Sequence, residues 1–156
     1  LRDHPALLAD ARDDSSPEAP LIDIALALKT PAGFVRYVVR NAATRPTYQL
    51  VTELASLLAG PTSSVVDASQ PALTVVDLAS HGLDRLSPGF NAGEGLILTI
   101  GRAIPRLYRS QGKTREGHFL PLDLAFRPDR TDAEQAHAFL LALGDNLQAP
   151  LALLMA

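Results

Sequence analysis

Ile22, Ile24, Leu26 and Leu28 alternate with small or polar residues, and this period of two predicts a half-buried strand over Leu21 to Leu28. Thr30-Pro31-Ala32-Gly33 carries turn chemistry and Phe34 to Val39 reads as a second strand, so the two are expected to form a hairpin. Thr44-Arg45-Pro46 marks a helix start, because a proline near the first helical position gives up an N–H that has no intrahelical partner. Leu50, Leu54, Leu57 and Leu58 follow as one apolar stripe until Gly60-Pro61 stops it. The Ser-rich segment from Pro61 to Pro71 is a loop, too short to separate two cores.

Further along, Leu73 to Leu78 is a β-type run broken by Ser80-His81-Gly82, and Gly95 to Arg102 is a strand with an apolar centre. Ser110-Gln111-Gly112-Lys113 is a turn leading into a strand from Phe119 to Phe126, where Pro121 favours an edge or an entry position. Thr131 with Glu134 matches a capping box, and Ala136, Phe139, Leu140, Leu143 and Leu147 continue as an amphipathic helix that Pro150 ends. At the opposite end Leu1 to Ala11 has a helix-compatible pattern, and Asp13 to Glu18 reads as a turn or exposed loop. Helices and strands are interspersed without a regular βαβ rhythm, which points to an α+β layered domain with a mixed or antiparallel sheet.

Composition narrows the function classes. The chain has 156 residues, a formal charge of −3, 47% hydrophobic residues and no cysteine, so it is expected to fold as a single domain over residues 1–156. Without cysteine there is no disulfide scaffold, Cys-based zinc site or redox centre. A mean hydropathy of +0.10 argues against disorder. No apolar run reaches the roughly 18 residues needed to span a bilayer, so no membrane partner is expected. Nor is nucleic acid: 17 acidic residues outnumber 14 basic ones, and the basic stretch through Arg102, Arg106, Arg109, Lys113 and Arg115 reads as a solvated strand and turn. With a start at Leu1 and no initiator methionine or signal-like segment, the sequence is expected to be the C-terminal part of a longer chain.

Several segments, in order, resemble one family. They are Leu1 to Leu8; Ile22 to Arg40 with its Lys29-Thr30-Pro31-Ala32-Gly33-Phe34-Val35 turn; Leu73-Thr74-Val75-Val76-Asp77-Leu78; Ser87-Pro88-Gly89-Phe90-Asn91 with Glu94 to Arg102; and Phe126 to Leu140 with Leu147 to Leu154. The order and spacing resemble the catalytic core of the 2-oxo acid dehydrogenase dihydrolipoyl acyltransferases. The resemblance implies a chloramphenicol-acetyltransferase-like, two-layer α+β domain with a mixed sheet and packed helices. It has no counterpart for the family's opening strand and helix, so a shortened N-terminus is expected.

The departures from that pattern carry a functional expectation. The family's motif reads DHRxxDG, its histidine implied to be the general base on a thiol, and here the aligned residues are Arg127-Pro128-Asp129-Arg130-Thr131-Asp132-Ala133. Proline cannot accept a proton, and loss of a general base typically costs about 10²–10⁴ in rate. The position implied to stabilise the oxyanion is occupied by Val76 and Asp77, where valine donates nothing and an ionised aspartate repels negative charge. Asp132 survives, with orientation or ion pairing as its implied role and helix capping as its plainer one. These losses lead to the expectation of a non-enzyme: an acyltransferase-like pseudoenzyme of the protein X type, the scaffold of a pyruvate dehydrogenase-type complex.

On that resemblance the expected partners are other copies of the chain in a homotrimer, a dihydrolipoyl acyltransferase core, and dihydrolipoamide dehydrogenase bound through upstream domains. Leu151, Leu153, Leu154 and Met155 match the family's docking tail and are the expected assembly residues. No cofactor or metal is called for. The implied compartment is the mitochondrial matrix in a eukaryote and otherwise the cytoplasm. Two alternatives stay open: an active CoA-dependent acyltransferase with a relocated base such as His118, and a stand-alone CoA-binding or regulatory domain. Ser80, His81 and Asp84 assemble a nucleophilic set on paper, and His137 with Glu134 offers two metal ligands without a third. Gly93-Glu94-Gly95 lacks the third glycine and the helix of a dinucleotide loop.

Overall fold

The computed structural model describes residues 1, 3, 4, 7, 22–30, 33–59 and 71–149. Alternation of apolar residues produces the predicted hairpin, β1 (Ile24–Thr30) and β2 (Gly33–Val39), paired antiparallel from Ile24↔Val39 to Thr30↔Gly33. A 3₁₀ turn at Ala42–Thr44 precedes helix α1 (Thr47–Ala59), which starts just after Pro46 as expected. Strands β3 (Leu73–Asp77) and β4 (Leu96–Ile100) follow, then β5 (Ile104–Ser110), β6 (Lys113–Phe119), β7 (Leu122–Phe126) and helix α2 (Ala133–Gln148).

Five strands form one mixed sheet in the order β2-β1-β3-β4-β7, with the β1–β3 and β3–β4 pairs parallel and both outer pairs antiparallel. Because side chains alternate across a sheet, the row Tyr37, Leu26, Val75, Leu98 and Leu124 shares one face. The neighbouring row Arg36, Ala27, Val76, Thr99 and Asp123 belongs to the other, smaller and more polar face. The apolar face is the core: buried Leu73, Leu96 and Leu98 meet Leu7 and Phe139, with Val75, Ile100, Leu122, Leu124 and Phe126 packed around them. This is the α+β arrangement with a mixed sheet that the pattern predicted, and α2 packs on its apolar face.

Two details differ from expectation. Phe119 ends β6, and β7 begins only at Leu122 after Pro121, whose ring cannot supply a ladder N–H; the Pro121 carbonyl instead accepts from Gly101 N–H at 2.9 Å. The basic stretch forms β5 and β6, a two-stranded ribbon separate from the main sheet. Its composition hid the second strand, because a ribbon exposed along both faces needs no apolar alternation.

The crossover from β3 to β4 is irregular and crosses close to the sheet's end. Leu78 N–H bonds Ile100 O, Arg102 N–H bonds Leu83 O, and a Cβ at Gly101 would lie 2.0 Å from the Asp84 carbonyl oxygen. Glycine is therefore needed at 101 for the crossover to close on the sheet. Among the described residues no helix is long and apolar enough to cross a membrane.

Candidate functional site

The motif-bearing turn begins where β7 ends. Arg127 N–H bonds Gly95 O at 3.1 Å, and the Arg127 carbonyl accepts from both Arg130 and Thr131 N–H at 3.0 Å, which folds residues 127–131 into a tight turn. Pro128 and Asp129 are exposed at its tip. The Arg127 guanidinium pairs with Asp129 at 3.2 Å and holds that carboxyl below its usual range. Thr131 is buried, and α2 begins one residue later than the capping-box pattern implied, with Asp132 at the N-cap and no side-chain capping bond. The Thr131–Glu134 box does not form, because Thr131 lies inside the turn rather than at the cap position.

Asp77 has a local task. Its carboxylate accepts Ala79 N–H at 2.9 Å and Ser80 N–H at 3.3 Å, capping the 3₁₀ turn at Ala79–His81. Val76 sits beside Thr99 and Ala27 on the small polar face. The valine side chain has no polar atom, and the Asp77 carboxylate is taken up by the two turn N–H groups. Ser80 Oγ is 3.4 Å from the Asp77 carbonyl, and the Asp84 carboxylate pairs with Arg102, so the hydroxyl and the carboxylate of the paper triad are engaged elsewhere. His118 stands exposed on β6 opposite Pro105. Glu134 and His137 are exposed on α2, and among the described residues no group of three or more possible ligands could hold a metal. The expected assembly residues Leu151, Leu153, Leu154 and Met155 lie outside the described residues.

Two residues that sequence reasoning passed over take part in the site region. Glu94, 2% exposed, accepts Thr74 Oγ1–H at 2.8 Å through Oε1 and the Asn91 N–H and amide through Oε2 at 2.8 and 2.9 Å, with Arg36 at 3.6 Å. These bonds fix the end of the crossover beneath Gly95, to which the motif turn is tied. The available signal was a charged residue two positions ahead of the wholly apolar run Leu96-Ile97-Leu98. The other is His4. Its ring meets Phe139 edge-on at 5.7 Å and lines an open cleft of about 370 Å³ with Asp3, Leu7, Asp132, Glu134 and Gln135. Nothing in the local sequence marks it, since the contact joins His4 to α2, more than a hundred residues away.

A mixed sheet with α2 across its apolar face, and the degenerate motif turn leading into that helix, define an acyltransferase-core fold. The sequence profile of the 2-oxoacid dehydrogenases acyltransferase (catalytic domain) matches residues 1–155, and the chain belongs to that family. Among solved structures it is similar to the dihydrolipoamide acetyltransferase of Azotobacter vinelandii, studied for the role of a serine, a histidine and an asparagine in its catalytic mechanism. The TM-score is 0.77 at 24% identity over 99% of this chain and 65% of that one. It is also similar to the cubic core of the pyruvate dehydrogenase multienzyme complex, with a TM-score of 0.73, 28% identity and coverage of 98% and 68%. A truncated catalytic core of the 2-oxoacid dehydrogenase multienzyme complex from Thermoplasma acidophilum gives 0.65 and 19%, covering 96% and 72%. This chain thus spans about two thirds of the length of those structures. No curated protein matches it.

These relatives correct the expectation of a non-enzyme. The family and the similar structures are acyltransferases, and nothing shows this chain to be catalytically dead. The physical error lay in equating a missing base at Pro128 and a missing oxyanion donor at Val76 and Asp77 with absent turnover. Removing a general base lowers a rate, while positioning and electrostatic stabilisation by other groups persist. Nor does any comparison single out the protein X type.

Proposed function

We propose that the chain is the acyl-transfer core of a 2-oxo acid dehydrogenase-type complex, moving an acyl group between a CoA thioester and a dihydrolipoyl thiol. The observation that supports this most is the family match across residues 1–155, on a fold whose motif carboxylate, Asp132, lines an open cleft. The core works as a homotrimer alongside a dihydrolipoyl acyltransferase shell, with dihydrolipoamide dehydrogenase held through segments outside this sequence. Its compartment is the mitochondrial matrix in a eukaryote and the cytoplasm otherwise. Exposed apolar side chains support association: Val51 on α1 is 60% exposed and Leu107 on the β5–β6 ribbon 74%.

The test is transfer from acetyl-CoA to dihydrolipoamide by the purified chain, followed as thioester exchange, with the mass measured in the same buffer. Turnover above the enzyme-free rate is expected. A mass three times 16.6 kDa is expected for the assembled form. A folded trimer without turnover at saturating substrate would refute the reading.

A further inference from the structure

Resting on the acyl-transfer reading, we infer that His4 is the proton acceptor of that reaction, working in the cleft beside the start of α2. Attack on a thioester requires a thiolate, and an alkyl thiol, with a pKa above the roughly 8.5 of cysteine, is mostly protonated at neutral pH. Pro128 cannot take that proton, so another group must.

The chain has four imidazoles, at positions 4, 81, 118 and 137. His118 is on the outlying ribbon, His137 is on the exposed side of α2, and His81 ends the 3₁₀ turn after β3. His4 alone among them lines the cleft that also holds Asp132, the one carboxylate retained from the motif. Phe139, 6% exposed, anchors one edge of the ring, while His4 N–H bonds Leu1 O at 2.9 Å and Leu7 N–H bonds His4 O at 3.1 Å. At about 370 Å³ the open cleft is in the size range of small-molecule sites.

In the step assigned to it, an imidazole nitrogen of His4 accepts the S–H proton of the dihydrolipoyl acceptor as sulfur bonds to the thioester carbonyl carbon. Collapse of the tetrahedral adduct breaks the bond to the CoA sulfur, and the imidazolium returns the proton to that leaving thiolate. Protons balance over the cycle. The charged groups facing His4 across the cleft are Asp3 on its own segment and Asp132 and Glu134 on α2.

The experiment compares the full chain with His4→Gln, His4→Ala and, as a control away from the cleft, His118→Ala, in the acetyl-CoA to dihydrolipoamide assay over a range of pH. Loss of the base is expected to lower kcat by about 10²-fold or more with KM little changed. The acid limb of the pH–rate profile should disappear in both His4 variants, and added imidazole should restore part of the rate of His4→Ala; His118→Ala should match the parent. Turnover by the parent that survives His4→Gln with its acid limb intact overturns the assignment of His4 and leaves the acyl-transfer reading standing. A parent that is folded yet inert overturns both.

Discussion

Helices α1 and α2 carry similar apolar stripes in sequence yet meet the sheet on different terms. α2 buries Ala136 and Phe139, the latter joined to Leu7, Leu73, Leu96 and Leu98 in one cluster. α1 buries no residue, and Tyr48, Val51 and Leu58 are 69%, 60% and 55% exposed. What fastens α1 is polar: Tyr37 on β2 donates its hydroxyl to Glu53 Oε1, and Arg45 pairs with Glu53 Oε2. A helical period therefore says where an apolar stripe lies and not how deeply it is covered.

The largest effect should come from the buried side. Phe139→Ala removes the ring that joins α2, the sheet and His4, and a Phe→Ala change in a core costs about 3–5 kcal/mol. At about 2–4 °C per kcal/mol for a chain of this size, the midpoint of thermal unfolding should fall by roughly 10 °C, read by circular dichroism. A loss under about 1 kcal/mol would mean that α2 is no better anchored than α1.

Much of the fold was legible for the reason this contrast isolates. β3 and β4 face the core and β1 and β2 bury Ala25, Leu28 and Val39, so alternation or an unbroken apolar run marked them. β6 was missed because Lys113-Thr114-Arg115-Glu116-Gly117-His118-Phe119 folds on β5 alone, away from the main sheet, where no core imposes a pattern. Thr131 had the right neighbours for a cap and the wrong burial, a distinction only the turn around Arg127 makes. At the site, Pro128 was plain to read while His4 was not. An absent functional group is visible in one position of a motif, whereas a substitute brought in by packing against Phe139 depends on two distant segments meeting.

A middle-sized effect tests the polar fastening of α1. Arg45 and Tyr37 hold the Glu53 carboxyl below its ordinary value, and the bond to Glu53 raises the Tyr37 phenol above its usual 10.0. For Glu53 the folded value is the lower one, so its stabilisation is present above the ordinary carboxylate range and fades as pH falls through the depressed value. For Tyr37 the folded value is the higher one, so its contribution is full below pH 10.0 and fades as pH rises beyond it. Glu53→Gln should cost about 1 kcal/mol at neutral pH and flatten the acid side of the stability profile. Urea unfolding of both forms at several pH values between acid and neutral measures it. Equal acid sensitivity in the two would show that the clasp contributes nothing to holding α1.

The smallest effect is expected on the open side of that same helix. Val51→Ser exchanges a 60%-exposed valine for a hydroxyl and should change stability by no more than about 0.5 kcal/mol in dilute solution. The substitution nevertheless separates two conditions of α1. If its stripe faces water in the working protein, the variant and the parent melt alike at every concentration. If another copy covers the stripe on association, binding adds stability by mass action, so the parent's melting temperature rises with concentration and the variant's rises less. A Val51→Ser cost near 2 kcal/mol that persists at high dilution would contradict the exposure of α1 itself, because only a valine already packed within one chain loses that much on becoming serine.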